Sequence, residues 1–380
     1  MVVTNKSALG IIFPNSFDVL IPDMVNLRLM ASVPFASRYR MIDFTLSSMS
    51  NCGIDNVSIL PNRNYHSLMD HLGSGREWDL VRKGGGLNIF PPFAERSATL
   101  ATGRIGALAS LLRYLKDQKE KYVVMSDSNI VANMNFSEMI DAHIASGADI
   151  TIAYNEQELP ENLLHSSDTN KDFYYTFSVN EERIEKIYVN STEVGVQNFS
   201  MNIFVIEREL LCELVNTAFV RGQEHFTRDV LLPKVKELNI YGYKYTGYVA
   251  RICSVKSYFD ENMKLLDDDN LDALFAGAPI YTKVRDDNPT RYMSGSKVTN
   301  TMAADGCIIE GEVENSILFR GVKIEKGAKV KNCILMQDTV VKEGAIIEYL
   351  ITDKEVTVSE NKEMKGTDMY PIYIAKKQSV

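Results

Sequence analysis

The last quarter of this 380-residue chain carries an apolar residue at every sixth position. The series is Val322, Ala328, Ile334, Val340 and Ile346, and glycines recur nearby in turn-like strings such as "EKGAKV" and "KEGAII". A period of six suits neither an α-helix nor an alternating hairpin, but it is typical of a parallel β-helix, in which each repeat forms one flat side of a coil. The alternative is chance alternation in an antiparallel sheet. We predict the coil, whose open ends and flat sides are suited to packing against other domains or subunits.

Residues 1–285 follow a different pattern, in which strand-like and helix-like segments alternate. Strings such as "ALGIIF" and "KYVVMSD" are short and rich in β-branched residues, whereas "GRIGALASLLRYLKDQKEK" has apolar residues at helical spacing. This alternation predicts an α/β domain with a mostly parallel mixed sheet. Because the composition becomes polar and turn-rich near 285–300, we predict two domains, at 1–285 and 286–380.

Composition narrows the class of protein. Hydrophobic residues make up 45% and charged residues 24%, as in an ordinary soluble globular protein, and the net charge of −9 argues against general binding to nucleic acid or anionic membranes. No apolar run approaches the roughly 18 residues of a membrane span, and we see no signal peptide. The five cysteines are scattered without a CxxC pair, which favours free buried thiols over a zinc site. We expect a cytoplasmic protein.

Four strings, in chain order, resemble those of the ADP-glucose pyrophosphorylases (glucose-1-phosphate adenylyltransferases). They are "SVPFASRYRMIDFTLSSMSNCGIDNVSILPNRNYHSLMDHLGSG", "YVVMSDSNIVANMNFSEMIDAHIASGADITIA", "FTRDVLLPKV" and "GYVARICSVKSYFDENMKLL". The resemblance covers nearly the whole chain. It implies a Rossmann-like, GT-A-like nucleotidyltransferase domain followed by a left-handed parallel β-helix of hexapeptide repeats. It also implies a role in glycogen biosynthesis, in which the family joins glucose 1-phosphate to ATP, giving ADP-glucose and pyrophosphate.

The chain departs from this family where the phosphates should bind. The family opens with LAGGxGxRLxxLTxxRAKPAVPF, and when that pattern is laid on this sequence its three loop glycines fall on Asn15, Ser16 and Asp18. Its loop arginine falls on Leu20, and its lysine before proline falls on Met30.

Two further positions of the family pattern are also changed. The aspartate of its GYWxDVGT string becomes Arg251, and the lysine that holds the sugar phosphate becomes Asn190. This pattern resembles the GlgD-type subunit, a degenerate partner of the catalytic subunit. We therefore assign no catalytic residue with confidence to this chain.

Phosphoryl transfer depends mainly on positioning and charge neutralisation, so these losses bear directly on activity. Glycine lets backbone N–H groups approach phosphates, whereas Pro14 has no N–H group and the carboxylate of Asp18 would repel a polyphosphate. Loss of one charge-stabilising donor typically costs about 2.7–4 kcal/mol in a transition state. We expect the chain alone to be inactive or very weak. The alternative is a non-standard nucleotide loop.

Two groups of charged residues remain as candidates. Asp127 and Asp229 match the family's Mg²⁺-binding carboxylates, and they either keep a metal site or cap a helix or turn. Arg28 lies within the altered loop (residues 14–30), and Arg38 and Arg40 lie just after it. These arginines either bind a nucleotide or another anion or form structural ion pairs.

Three functions are consistent with this sequence. The first is a regulatory, catalytically impaired subunit that pairs with and activates the catalytic subunit, by resemblance in a heterotetramer. The second is a sugar-phosphate nucleotidyltransferase that is active in its own right. The third is a scaffold that senses a sugar phosphate or nucleotide as an effector without chemistry.

Overall fold

A computed structural model describes residues 7–91, 103–160, 163 and 174–380, and these residues form an α/β part followed by a coil. The strands of the α/β part are β1 (Ala8–Phe13), β2 (Pro34–Phe35), β3 (Tyr39–Arg40), β4 (Asn56–Ile59), β5 (Gly86–Ile89), β6 (Tyr122–Asp127), β7 (Ile130–Val131), β8 (Ile150–Glu158), β9 (Tyr175–Asn180), β10 (Arg183–Val189), β11 (Val196–Glu207), β12 (Ile240–Lys244) and β13 (Ala250–Arg251). Its α-helices are α1 (Met41–Asn51), α2 (His66–Leu72), α3 (Gly103–Lys116), α4 (Phe136–Ser146), α5 (Arg208–Val220), α6 (Val255–Met263) and α7 (Asp268–Phe275). A π-helical turn spans Phe226–Leu231.

Nine of these strands form one sheet, in the order β5-β4-β1-β6-β11-β8-β12-β10-β9. The pairings make seven strands run in one direction, whereas β10 and β11 run against them. The prediction of a mostly parallel mixed sheet is therefore confirmed. Helices α3 and α5 cover one face, and α1, α2 and α4 cover the other. This places the carboxyl ends of β1 and β6 side by side, with Phe13 opposite Asp127.

The coil is built from short strands that pair in parallel. They are β14 (Arg291–Tyr292), β15 (Lys297–Ala303), β16 (Ile308–Ile309), β17 (Glu312–Leu318), β18 (Lys323–Ile324), β19 (Lys329–Lys331), β20 (Ile334–Leu335), β21 (Val340–Val341), β22 (Ile346–Glu348), β23 (Leu350–Thr352), β24 (Thr357–Val358), β25 (Glu363–Lys365) and β26 (Ile372–Ile374). All the pairings between two of these strands are parallel. The parallel β-helix is therefore confirmed.

The apolar series with its period of six goes out of phase with the successive rungs of this coil. Lys323 pairs with Val340, seventeen residues on, so a rung is one residue short of three six-residue sides. Val322 and Ala328 point into the coil core, but Val340 is half-buried and its neighbour Val341 takes the inward position. The periodicity predicted the correct fold with a phase that drifts by about one residue per rung.

One corner of the coil carries a stack of asparagines. Asn300, Asn315 and Asn332 lie on successive rungs with φ of 44°, 46° and 50°, a left-handed conformation that asparagine tolerates better than most residues. The Asn300 side chain donates to Asn315 Oδ1 at 2.8 Å, and the Asn315 side chain donates to Asn332 Oδ1 at 2.6 Å. We call these three residues the asparagine ladder. Tyr349, with φ of 53°, continues the stack beyond them.

The two parts of the chain share an apolar cluster, here called the interdomain core. It brings residues of the altered loop and α1, among them Ile21, Met30 and Phe44, against coil residues such as Ile317 and Ile334. The segment between α7 and β14 has no helix or strand, and the boundary at 285/286 stays a prediction. Within the described ranges, no helix is long and apolar enough to cross a membrane.

Candidate functional site

In the loop that follows β1, hydrogen bonds of the loop's own side chains fix the loop conformation. The carboxylate of Asp18 is buried and accepts hydrogen bonds from the Met30 backbone N–H at 2.8 Å and from the Asn15 side chain at 2.9 Å. Burial raises the pKa of Asp18, and the two hydrogen bonds oppose that rise. The Asp18 side chain is therefore turned inward to bridge two parts of the loop.

Side chains also fill the positions of the first two family glycines. Asn15 Oδ1 accepts from the Asn62 backbone N–H at 2.6 Å, which ties the loop to the segment after β4. Ser16 Oγ donates to Asp127 Oδ1 at 2.7 Å, which ties it to the end of β6. Phe17 is left-handed at φ 65°, a conformation that glycine would adopt with less strain. The loop keeps a tight turn without the open backbone of a phosphate-binding loop.

A second group of altered residues meets around two stacked aromatic rings. The rings of Tyr174 and Phe199 lie 5.4 Å apart, in a cluster against which Leu20 packs. Asn190, left-handed at φ 49°, accepts from the Tyr174 backbone N–H at 3.3 Å and donates its own N–H to the Tyr174 carbonyl at 3.1 Å. Positions that the resemblance assigns to phosphate binding therefore contribute to packing and a turn.

Arg251 lies against the same rings. Its guanidinium is 3.7 Å from the centre of the Phe199 ring and donates to the Ser200 carbonyl and to Asn155 Oδ1, both at 2.9 Å. Burial lowers the pKa of Arg251 to about 9, so the side chain stays charged at neutral pH. The cation is held by a carbonyl, an amide and an aromatic face.

Asp127 lies at the end of β6, at the sheet edge where α/β proteins bind ligands. Its Oδ1 accepts from Ser16 and from Arg104, whereas Oδ2 is buried and has no partner in the described part of the chain. Burial raises the pKa of this carboxyl, and Arg104 and Ser16 oppose the rise. Arg104 was not among the residues predicted from the sequence. A cation in the first turn of α3, where the helix dipole disfavours it, was the available signal.

Asp229 caps the turn that contains it. Its Oδ2 accepts from the backbone N–H groups of Glu224 at 3.0 Å and His225 at 2.9 Å, and its Oδ1 accepts from Arg228 Nε at 2.9 Å. Burial would raise the pKa of Asp229, but the His225 N–H and Arg228 outweigh it and the pKa is lowered. Both oxygens of this carboxylate therefore have partners.

This arrangement does not fit the retained Mg²⁺ site that the two aspartates suggested. Arg104 forms an ion pair with Asp127, and backbone N–H groups donate hydrogen bonds to the Asp229 carboxylate. Nor do three or more His, Cys, Asp or Glu side chains come together as metal ligands anywhere in the described ranges. Of the two predicted alternatives, capping describes Asp229, whereas Asp127 forms an ion pair that neither alternative included.

The three candidate arginines separate into two groups. Arg28 is buried and forms a two-pronged ion pair with Asp353 of the coil, with distances of 2.5 and 2.6 Å from Nη2 to the carboxylate oxygens. Arg28 thus joins the two parts of the chain. Arg38 and Arg40, in contrast, line a cleft of about 500 Å³ between the α/β part and the coil.

We call this space the interdomain cleft, and its walls are rich in positive charge. Its cationic lining residues are Arg38, Arg40, Lys283, Arg285, Arg320, Lys354 and Lys376. Against them stand the acidic residues Asp70 and Glu355. Burial, with a smaller effect of repulsion from neighbouring cations, lowers the pKa of Arg40 to about 10 and that of Lys354 to about 7. A chain with a net charge of −9 has concentrated cations here.

Comparisons with known proteins agree with this fold. The nucleotidyl transferase family model matches residues 29–162, and that of the GlmU-like C-terminal hexapeptide domain matches residues 283–369. The first match begins after residue 28, so it leaves out Asn15, Ser16, Asp18 and Leu20, four of the positions at which the chain departs from the family pattern.

Curated relatives match over most of the chain. The glycogen biosynthesis protein GlgD of Bacillus subtilis (strain 168) is 36% identical over 98% of this chain and 96% of its own length. GlgD of Geobacillus stearothermophilus is 36% identical over 86% of this chain and 83% of its own length. The glucose-1-phosphate adenylyltransferase of the same organism is 32% identical, covering 79% of this chain and 77% of its own length. The chain therefore belongs to the GlgD family, which is related to the glucose-1-phosphate adenylyltransferases.

Proposed function

We propose that this chain is a regulatory, catalytically impaired subunit of ADP-glucose pyrophosphorylase in glycogen biosynthesis. In this role it pairs with a catalytic glucose-1-phosphate adenylyltransferase subunit and raises the activity of that subunit. The assembly is a hetero-oligomer, which we expect to be a heterotetramer in the cytoplasm. The substrates of the assembly are glucose 1-phosphate and ATP.

The loop after β1 is the observation that carries this proposal. Asn15, Ser16 and Asp18 stand where the family has glycines, and each makes a hydrogen bond that holds the loop against its neighbours. Leu20 and Met30, at positions of two family cations, pack into apolar clusters. These contacts support a loop that stabilises the fold and does not hold a triphosphate, because its polar side chains are engaged within the protein and the two family cations are replaced by apolar residues.

A pyrophosphate-release assay tests the proposal. We would measure this chain alone, a catalytic partner alone, and the mixture at saturating ATP, glucose 1-phosphate and Mg²⁺. We expect almost no turnover from this chain alone and a higher turnover from the mixture than from the partner. A rate for the chain alone that approaches that of the partner would show that the chain is an enzyme in its own right.

The isosteric variant Asp127→Asn serves as a control in the same assay. It removes the charge of the most family-like carboxylate without changing the size of the side chain. If catalysis in the mixture comes only from the partner, the turnover of the mixture is unchanged by this substitution. A large loss of turnover from a folded, assembled variant supports the alternative, an active site in this chain.

The interdomain cleft favours a second candidate function, the sensing of an anionic effector such as a sugar phosphate or nucleotide. Arg38 is exposed at its wall, and Arg40 lies near it with its Nη1 donating to the Ser67 carbonyl at 2.7 Å. Positively charged side chains around a concave surface attract phosphate groups. This function is compatible with the regulatory role, since both need binding without chemistry.

Calorimetric titration with glucose 1-phosphate, ATP and ADP-glucose tests the cleft. We expect at least one of them to bind, and Arg38→Ala to weaken that binding about tenfold, as befits one charge-assisted hydrogen bond. Arg183→Ala, which removes an exposed arginine on β10, serves as the matched control and should leave binding unchanged. No heat and no thermal stabilisation with any of the three would count against sensing.

A further inference from the structure

The carboxylate of Asp127 is buried, and an uncompensated charge at a buried position would destabilise the fold. Only 2% of the residue is exposed, and its only ion-pair partner in the described ranges is Arg104. A buried carboxylate is stable only when a cation and hydrogen bonds compensate its charge. In a nucleotidyltransferase fold a divalent metal can supply that compensation. Here a side chain of the protein does so.

Contacts on several sides fix the position of the Arg104 guanidinium. It donates from Nη2 to Asp127 Oδ1, and its guanidinium carbon lies 4.5 Å from the centre of the Phe13 ring and 5.6 Å from that of Phe204. Only 16% of its side chain is exposed. Because arginine does not lose its proton in proteins, this is a permanent positive charge against the carboxylate.

The backbone that carries Arg104 is anchored in turn by the second family-like aspartate. Asp229 Oδ2 holds the backbone N–H groups of Glu224 and His225, and the Glu224 carbonyl accepts from the Ile105 N–H at 3.0 Å. Gly103, with φ of 70°, allows this close approach, since a Cβ atom there would lie 2.5 Å from the Glu224 carbonyl oxygen. Both aspartates therefore contribute to the placement of one arginine.

We propose that Arg104 is a built-in replacement for the divalent cation of this fold. Its guanidinium neutralises Asp127, and its fixed charge repels a metal ion from the same carboxylate. The chain then carries a latent divalent-cation site, with Asp127 and Ser16 as oxygen ligands, which opens when Arg104 is removed. This inference deepens the proposed function. It depends on the proposed function only for the statement that the site is not used in catalysis.

Titration with MnCl₂, followed by the electron paramagnetic resonance signal of free Mn²⁺, tests the inference. We expect no Asp127-dependent binding to the unsubstituted chain and about one Mn²⁺ per chain for Arg104→Met, with at least tenfold higher affinity. Arg104→Met/Asp127→Asn should lose that binding, and Arg104→Lys, which keeps the charge, should not gain it. Arg113→Met, an exposed arginine on the same helix, is the matched control and should behave like the unsubstituted chain.

Either of two results with folded protein would overturn the inference. One is an unsubstituted chain that binds one Mn²⁺ per chain and loses it on Asp127→Asn. The other is a folded Arg104→Met variant that gains no Mn²⁺ binding.

If Arg104→Met does not fold without metal, millimolar MnCl₂ should restore its native circular dichroism, but not that of the double variant. Failure of that rescue also overturns the inference. None of these measurements uses turnover, so their result is separate from the pyrophosphate-release assay.

Discussion

Arg251 is a buried cation that forms no ion pair with a carboxylate in the described ranges. The Ser200 carbonyl, the Asn155 amide oxygen and the face of the Phe199 ring take that place. Such partners stabilise a guanidinium in a water-poor setting, because its charge is spread over a flat surface that stacks well on an aromatic ring. Arg251, at the position that the resemblance assigns to an aspartate, therefore has a structural role.

Replacement of Arg251 by methionine should therefore destabilise the protein. Methionine keeps much of the stem but leaves the Ser200 carbonyl and the Asn155 oxygen without donors, which predicts a loss of about 2 kcal/mol in the free energy of unfolding. Urea denaturation followed by circular dichroism measures it. Arg183→Met, on the exposed face of β10, should change stability by less than about 0.5 kcal/mol. Equal effects for the two variants would contradict a structural role for Arg251.

Lys354 gives the interdomain cleft a pH dependence. Burial, together with repulsion from Arg40, Arg28 and Lys376, lowers the pKa of Lys354 to about 7 against the opposing attraction of Asp353. An unfolded lysine titrates near 10.5, so above about pH 7 the unfolded state binds one proton more than the folded state. This group alone therefore makes stability increase with pH from about 7 to about 10. A bound anion favours the charged lysine, and its affinity should fall over the pH range where the lysine loses its proton.

Sulfate is a suitable probe of this effect because its own charge is constant in the range. We expect sulfate binding, measured by calorimetry, to weaken between pH 6 and pH 8, and Lys354→Met to flatten part of that dependence. His66 and His71 also line the cleft, and the variant separates their contribution from that of the lysine. Lys365→Met, an exposed lysine of the coil, is the control. A slope that Lys354→Met leaves unchanged would show that the histidines alone set it.

The sequence indicated the kinds of residue in the site but not their partners. Asp127 and Asp229 could be selected because they stand in strings typical of the family. Arg104 is 23 residues from Asp127 in the chain, and Arg28 is 325 residues from Asp353. Local patterns report on neighbours along a strand or a helix. Pairs between distant segments depend on tertiary packing, so local patterns cannot reveal them.

At the scale of secondary structure, the strands of the sheet and of the coil were predictable for the same reason. Their apolar residues repeat with the geometry of the element, and burial of one face selects the register. The coil shows where such a pattern loses accuracy. A rung of seventeen residues shifts the six-residue series, so Val340 and Ile346 are half-buried while Val341 and Ile347 point inward. The period alone predicts the type of fold. To predict which residues face inward and which face outward, the number of residues per rung must also be known.

The asparagine ladder makes a prediction at this scale. Asn315 makes hydrogen bonds with the asparagines of both adjacent rungs and has a left-handed backbone. Asn315→Ala removes both bonds and places a Cβ-bearing residue without a compensating side chain in that conformation. We expect a loss of about 2 kcal/mol in the free energy of unfolding.

Asn315→Gly separates the two causes. It loses the same hydrogen bonds, but glycine adopts a left-handed conformation without strain, so it should be less destabilising than alanine by about 1 kcal/mol. Urea denaturation of the three proteins gives both differences. If glycine were as harmful as alanine, backbone strain would not contribute.

At the scale of the whole molecule, the ion pair between Arg28 and Asp353 joins the altered loop to the coil. Both side chains are almost completely buried, and the Tyr373 hydroxyl donates to Asp353 Oδ2 at 2.7 Å. A buried pair contributes little net stability, because desolvation offsets the attraction, but a lone buried charge is strongly destabilising. The pair therefore fixes how the two parts meet more than it adds to their stability.

A double-mutant cycle on this pair should show strong coupling. Arg28→Met and Asp353→Asn should each cost about 3–5 kcal/mol in the free energy of unfolding, since each leaves its partner buried without an opposite charge. The double variant should cost clearly less than the sum of the two. The exposed pair of Glu363 and Lys365, 2.6 Å apart, is the control, with a coupling of less than about 1 kcal/mol. Simple additivity at the buried pair would contradict the assignment.

The interdomain core also bears on how this chain could evolve. Met30, at the position of a family lysine, is completely buried there, close in sequence to Ile21 and Met24, which belong to the same cluster. A change to lysine would put an ammonium group into apolar surroundings, which proteins tolerate only when it is paired or neutral. A single Met30→Lys substitution would therefore give a less stable protein before it could give a phosphate-binding cation. The packing of this loop thus limits which single substitutions the chain can accept.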